Sequence, residues 1–130
     1  MVNLLIDVGN TAIKAACFRE RQLIRAVRAS RSDAQELEEA LLKLIPSEPS
    51  RAFISNVAHG QPELEAFLQR AEIPFTYFTP ETALPIENKY ETPETLGRDR
   101  ISNAVAANLI FPGRPVVVID AGTCIKFDFI

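Results

Sequence analysis

Two stretches of this sequence place the same side chains in the same order. Asp7-Val8-Gly9-Asn10-Thr11-Ala12-Ile13-Lys14 lies near the start, and Asp120-Ala121-Gly122-Thr123-Cys124-Ile125-Lys126 near the end. Each follows an apolar run, and the second has one residue fewer between its glycine and its threonine. An apolar run that stops at Asp-x-Gly reads as a strand, a tight turn and a second strand. Glycine lets the backbone approach a ligand closely, and the N–H groups of such a turn, with Asn10 and Thr11, can donate to phosphate oxygens. Asp7 offers a hard oxygen of the kind Mg²⁺ takes, directly or through water. Lys14 adds charge if it points back toward the turn. A third group, Leu96-Gly97-Arg98-Asp99-Arg100, opens a helical pattern. A helix N-terminus favours anions, Arg100 can fork onto a carboxylate, and Asp99 can orient a hydroxyl nucleophile for phosphoryl transfer.

Each motif alone has a plain explanation, a polar hairpin for the first two and a capped helix with a solvated ion pair for the third. Recurrence shifts the balance: two phosphate-hugging turns, one per domain, can grip a nucleotide from both sides. Three of the five glycines fall inside these motifs, so glycine is placed by need. Neither G-x-x-x-x-G-K-[ST] nor G-x-G-x-x-G occurs, which excludes a P-loop or a Rossmann fingerprint.

The elements that must position these residues are legible in outline. Val2–Asp7, Ala12–Phe18 and Gln22–Ala29 read as three strands of a meander, with Arg25 and Arg28 facing solvent or an edge. Ser32 and Gln35 stand at capping-box spacing, Asp33 adds negative charge, and Leu37, Leu41, Leu44 and Ile45 share one helical face until Pro46. A strand over 51–57 follows, then a helix opened by Gly60, Gln61 and Pro62 with Leu64, Phe67, Leu68 and Ala71 as its apolar face. A strand after Pro74 leads into an irregular loop over 79–95 carrying Pro80, Pro85 and Pro93. A helix over about 97–110, with an Ile101, Val105, Leu109 stripe, precedes two more strands at 116–120 and 125–130. The expected order is β-β-β-α-β-α-β-α and then β-β, an α/β domain with a mixed sheet. Because the last strands repeat the opening, residues 1–114 read as one domain and 115–130 as the start of a second, similar one. Its apolar strands are expected to pack on another chain or to promote association.

Composition bounds the function. With 14 Lys and Arg against 17 Asp and Glu, net charge −3 and pI about 5.2, a basic nucleic-acid footprint is absent. The opening residues lack the basic region of a signal peptide, and no run is apolar and long enough to span a membrane. Cys17 and Cys124 have no ligand spacing and read as reduced strand residues in a cytoplasmic protein. His59 reads as a surface loop residue without a role.

Together "DVGNT", "LGRDR" and "DAGT" resemble the motifs of the type III pantothenate kinases, members of the actin/Hsp70/sugar-kinase ATPase superfamily. "SNV" at 55–57 also stands where that family has a Ser-x-Val strand, and order and spacing agree across the chain. The resemblance implies a ribonuclease H-like (actin-like ATPase) fold and ATP-dependent phosphorylation of pantothenate to 4′-phosphopantothenate, the first step of coenzyme A biosynthesis. It implies that Asp7, Val8, Gly9, Asn10, Thr11, Ala12, Ile13 and Lys14 cradle ATP together with Thr123, and that Asp7 lies near Mg²⁺. Asp99 would accept the proton of the attacking hydroxyl. Tyr90, Gly97, Arg98, Asp99 and Arg100 would hold pantothenate, with Arg100 meeting its carboxylate. Asp120 would bind a monovalent cation, K⁺ or NH₄⁺. The enzyme would be a cytoplasmic homodimer with no nucleic-acid or membrane partner.

Two departures stand out. Cys124 and Lys126 replace the Ala and Thr that usually continue the second motif, and Lys126 could face solvent or the nucleotide. The family's chains are longer, with most of a second domain, so the isolated chain is expected to be catalytically crippled. A different class is also open: a non-catalytic, nucleotide-binding regulatory or accessory protein on the same fold. Pantothenate binding separates the two, since a pure sensor needs no acceptor site. A third option is a kinase of another small hydroxylated acid.

Overall fold

Val2, Leu4, Ile6 and Val8 alternate with Asn3, Leu5 and Asp7, and a strand of period two buries the first set while leaving the second on the opposite face. This strand, β1 (Val2–Val8), is central. Antiparallel β2 (Ala12–Arg19) and β3 (Gln22–Ser30) extend the sheet on one side, and parallel β4 (Arg51–Asn56) and β5 (Phe75–Tyr77) on the other. The order β3-β2-β1-β4-β5 is that of a mixed sheet, as expected for the α/β class. The computed structural model describes residues 1–56, 60–122 and 124–130. Val57, His59 and Thr123, each considered above, lie outside the described residues.

Parallel neighbours need a crossover, and helices supply it. Helix α1 (Ala34–Leu42) connects β3 to β4, and α2 (Pro62–Arg70) connects β4 to β5. Leu37, Ala40 and Leu41 of α1, with Leu44 beyond it, and Leu64, Phe67 and Leu68 of α2 join the buried residues of β1, β2 and β4 in one core. Ile13, Ala15 and Cys17 are the β2 contribution, and burial raises the Cys17 thiol pKa. The helix start differs by one residue from the capping-box reading. Asp33, not Ser32, is the N-cap, and its carboxylate accepts from the Glu36 N–H at 2.9 Å. Asp caps as well as Ser, so the frame moves one residue. Ser32 exchanges a hydrogen bond with Ser30, and Gln35 donates to Glu39. Arg28 is exposed, while Arg25 donates to the Lys43 carbonyl past the end of α1.

The chain divides into two compact units, Met1–Phe78 and Thr79–Ile130. The second begins with the Pro-containing loop, which local bonds order: Thr79 N–H donates to Thr82 Oγ1, Tyr90 N–H to Asn88 Oδ1, and Thr95 N–H to the Thr92 carbonyl. Helix α3 (Arg98–Ile110) follows, then a hairpin of β6 (Val117–Ala121) and β7 (Ile125–Phe129). The expected stripe of α3 is corrected. Leu109 is exposed, Ala107 is the buried residue, and Ile101, Ala104 and Asn108 turn toward a cleft. A helix in so small a unit has little to cover a full stripe. Cys124 is likewise not a buried strand residue but exposed in the hairpin turn.

Ile54 is completely buried in β4 and Leu42 is exposed on α1. Ile54→Ala is expected to cost about 2–4 kcal/mol in urea unfolding and Leu42→Ala less than about 0.5 kcal/mol. Equal costs would refute the placement of the core. Tyr77 Oη donates to Glu65 Oε1, tying β5 to α2. Burial, and then this carboxylate, push the phenol from 10.0 up to about 12. The folded state therefore holds the proton more tightly than the unfolded one. The resulting stability is complete below about pH 10 and is lost as pH rises toward about 12. The stability difference between wild type and Tyr77→Phe should shrink over that window.

Candidate functional site

The first turn belongs to the first unit. Gly9 N–H donates to the Ala12 carbonyl at 2.9 Å and closes the chain between β1 and β2. A Cβ on Gly9 would stand 3.1 Å from that same backbone oxygen, so a larger residue fits only if the turn backbone gives by a few tenths of an ångström. Asn10 and Thr11 are exposed at its tip. Asp7 and Lys14 are direct cross-strand partners on the face opposite the core. The sequence reading missed Arg31. Its Nη1 donates to the Gly9 carbonyl at 3.1 Å, and its N–H donates to the Thr11 carbonyl at 3.0 Å. Arg31 brackets the turn and brings a positive charge beside it, which suits an anion. The only sequence sign is an arginine just past the end of a strand that reaches back to the turn.

The second unit holds a denser cluster. In β6 and β7 the inward positions are Val118, Asp120, Lys126 and Asp128, all partly buried, while Val117, Ile119, Ile125, Phe127 and Phe129 are exposed. Charge is on the covered face because the first turn of α3 answers it. Arg100 Nε lies 3.0 Å from both Asp128 carboxylate oxygens, and Nη2 bonds Oδ1 as well, a fork of two nitrogens on one carboxylate. The Asp128 bond is the main reason the Arg100 pKa is raised. The Arg100 guanidinium also lies over the Tyr90 ring, 5.2 Å from its centre. Lys126 Nζ donates to Asp99 Oδ2 at 2.8 Å and stands 3.6 Å from Asp120 Oδ2.

Lys126 therefore meets two carboxylates, an arrangement outside the alternatives its sequence position suggested. Its pKa is raised, chiefly by the bond to Asp99. At Asp99 burial alone would raise the carboxyl, but the Lys126 bond and the Arg100 N–H outweigh it and hold it below the usual aspartate value. Asp99 is thus an ionised, oriented and weakly basic group. Gly97 is the N-cap of α3, and a methyl there would overlap Asp99 Oδ1. Arg98 Nε is buried without a hydrogen bond among the described residues.

A cleft of about 640 Å³ opens beside this cluster, walled by Tyr90, Leu96, Arg100, Ile101, Asn108 and Phe127, with the 84–89 loop on its rim. Tyr90 and Arg100, both expected at a substrate, therefore share one wall. Asp128 was not singled out from sequence, although its signal is visible. Lys126 and Asp128 alternate with apolar residues, so a strand must put them on one face. Among the described residues no group of three or more His, Cys, Asp or Glu side chains could hold a metal ion by itself. Carboxylates that share an ion with phosphate oxygens are compatible with these residues.

Comparison with known proteins adds to this geometry. The family model for type III pantothenate kinase matches residues 3–130. The type III pantothenate kinase of Bacteroides fragilis is 38% identical over 129 residues, covering 99% of this chain and 52% of that protein. That of Flavobacterium johnsoniae is 39% identical over 128 residues, covering 98% and 51%. The chain spans about half the length of the curated relatives it matches. Among solved structures, the Aquifex aeolicus member of the Ppx/GppA protein family aligns with a TM-score of 0.50 at 15% identity, covering 99% of this chain and 47% of that one. This likeness bears on fold alone, and agrees with an actin-like ATPase fold.

Gly97→Ala tests the packing around Asp99. The carboxylate is flexible, so stability should fall by no more than about 1 kcal/mol. The Asp99 carboxyl, followed by NMR titration, should move up toward its ordinary value of 3.8 as it leaves Lys126. An unchanged titration would refute the close approach.

Proposed function

This chain belongs to the type III pantothenate kinase family, and from that premise we propose that it forms the N-terminal part of an ATP-dependent kinase that phosphorylates pantothenate to 4′-phosphopantothenate. The observation that carries the proposal is the ionised Asp99 at the N-terminus of α3, one residue before the Arg100 that walls the cleft. In the reaction the terminal hydroxyl of pantothenate attacks the γ-phosphorus of ATP. The bond to the β-phosphate oxygen breaks, ADP leaves, and the hydroxyl proton passes to Asp99 Oδ1 or Oδ2. A weakly basic carboxylate suffices, because phosphoryl transfer depends mainly on orientation and charge stabilisation.

The remaining roles divide between the units. Asp7 through Lys14 cradle ATP, with the Gly9–Thr11 turn nearest the phosphates and Arg31 bracketing it. Thr123 contributes from the second motif. Tyr90 and Gly97 through Arg100 hold pantothenate. Asp128 occupies the Nε and Nη2 edge of Arg100, so the substrate carboxylate meets the Nη1 edge. Mg²⁺ is compatible with the first turn, where one carboxylate, Asp7, can share it with phosphate oxygens, and when bound it supplies neutralising charge to them. K⁺ or NH₄⁺ at Asp120 fits poorly, because the Lys126 ammonium already faces that carboxylate. The repeat of Asp-x-Gly with Thr, Ile and Lys supports reading residues 1–114 as one ATPase-like domain and 115–130 as the start of another. Family membership also supports a cytoplasmic homodimer; no helix among the described residues is long and apolar enough to cross a membrane.

The full-length gene product, given ATP, Mg²⁺ and pantothenate, should release 4′-phosphopantothenate, detected by mass spectrometry. Asp99→Asn should lower kcat about 10²–10⁴-fold with little change in the KM for ATP. Full turnover by this variant would remove Asp99 from its role. Binding of ATP without pantothenate in calorimetry would replace the kinase with the regulatory reading.

A further inference from the structure

Asp120 and Asp99 come from different elements, β6 and the first turn of α3, yet their carboxylates converge on one nitrogen. The register of the hairpin arranges it. Asp120 is the direct cross-strand partner of Lys126, and side chains in that relation stand about 5 Å apart at Cβ. The lysine stem is then long enough to carry its ammonium past Asp120 to Asp99. Like charges brought this close repel unless a cation stands between them. A lysine ammonium has three donors and a single positive charge, the same charge and the same hydrogen-bonding chemistry as NH₄⁺. The three side chains are each about one-third exposed, so the ammonium sits between the carboxylates and not in bulk water.

We propose that Lys126 is a tethered counter-cation that takes the place of the soluble monovalent cation at Asp120, so that this enzyme works without K⁺ or NH₄⁺. The inference rests on the kinase reading for its catalytic consequence, but not for its binding consequence. Lys126 acts as a positioning residue, setting the charge and orientation of Asp99 through the 2.8 Å bond and keeping Asp120 from drawing in an ion. A covalently tethered cation cannot dissociate, so its occupancy does not depend on the concentration of K⁺ or NH₄⁺ around the protein.

The test uses the full-length gene product at constant ionic strength, with KCl or NH₄Cl exchanged against tetramethylammonium chloride. Wild type should melt at the same temperature in all three salts and show the same kcat. Lys126→Thr should acquire a specific stabilisation by K⁺ or NH₄⁺ of about 2–4 °C. In tetramethylammonium its kcat should fall about 10–100-fold, and K⁺ should restore part of the loss. Lys126→Met, which keeps the length of the stem and removes the charge, should lose kcat in the same way. Specific stabilisation or activation of wild type by K⁺ would overturn the proposal, and this arm needs no variant to fold. A well-folded Lys126→Thr indifferent to K⁺ in melting would also overturn it. If pantothenate is not phosphorylated at all, the kinase reading fails while the melting measurements still decide the role of Lys126.

Discussion

In an antiparallel pair, register decides which side chain stands opposite which, and in both Asp-x-Gly turns it sets the aspartate opposite the lysine. Asp7 faces Lys14 and Asp120 faces Lys126. The second turn is one residue shorter, yet the pairing is kept because the residue is lost from the turn and not from either strand. Gly9 N–H reaches the Ala12 carbonyl and Gly122 N–H the Cys124 carbonyl, so each glycine closes its own turn. What differs is the use of the outer partner. Lys14 is exposed, whereas Lys126 is drawn to the carboxylate of a helix.

That difference organises the second unit. A two-stranded hairpin has little stability of its own, and here its inward positions are charged. Two ion pairs, Arg100 with Asp128 and Lys126 with Asp99, tie it to the first turn of α3. They are not of equal weight. Arg100 and Asp128 are 20% and 17% exposed and form a fork, while Lys126 and Asp99 are about one-third exposed and share a single bond. The forked, better shielded pair is the stronger holding contact, and exposed single pairs contribute little. Removing one partner of the shielded pair costs more than the pair contributes, since it leaves the other charge half-buried and unmatched. The Lys126 pair, more exposed and held by a single bond, contributes less to stability.

The first unit rests on different physics. Alternation in β1, β2 and β4 gives one sheet face to an apolar core under α1 and α2. The opposite face is left for Asp7 and Lys14, and the turn above it is braced by Arg31. Packing on one side and chemistry on the other follow from the two-residue period of the strand.

Much of this was readable from the residues. Apolar alternation and helical spacing placed the strands and helices, and the three glycine motifs marked the candidate sites, because periodicity and turn chemistry are local properties. One error was local, the one-residue shift from Ser32 to Asp33, where two good caps are adjacent; the α3 stripe failed instead for want of a tertiary partner to cover Leu109. Local pattern carries no record of partners distant in sequence. Arg31 on the first turn, Asp128 in the fork of Arg100 and Lys126 between Asp99 and Asp120 join residues 22, 28 and 27 or 6 positions apart. Residue type and local spacing limit which side chains can bear charge at a turn or a helix start. Which of those charges meet is set by the fold, because that depends on strand register and on where a helix begins.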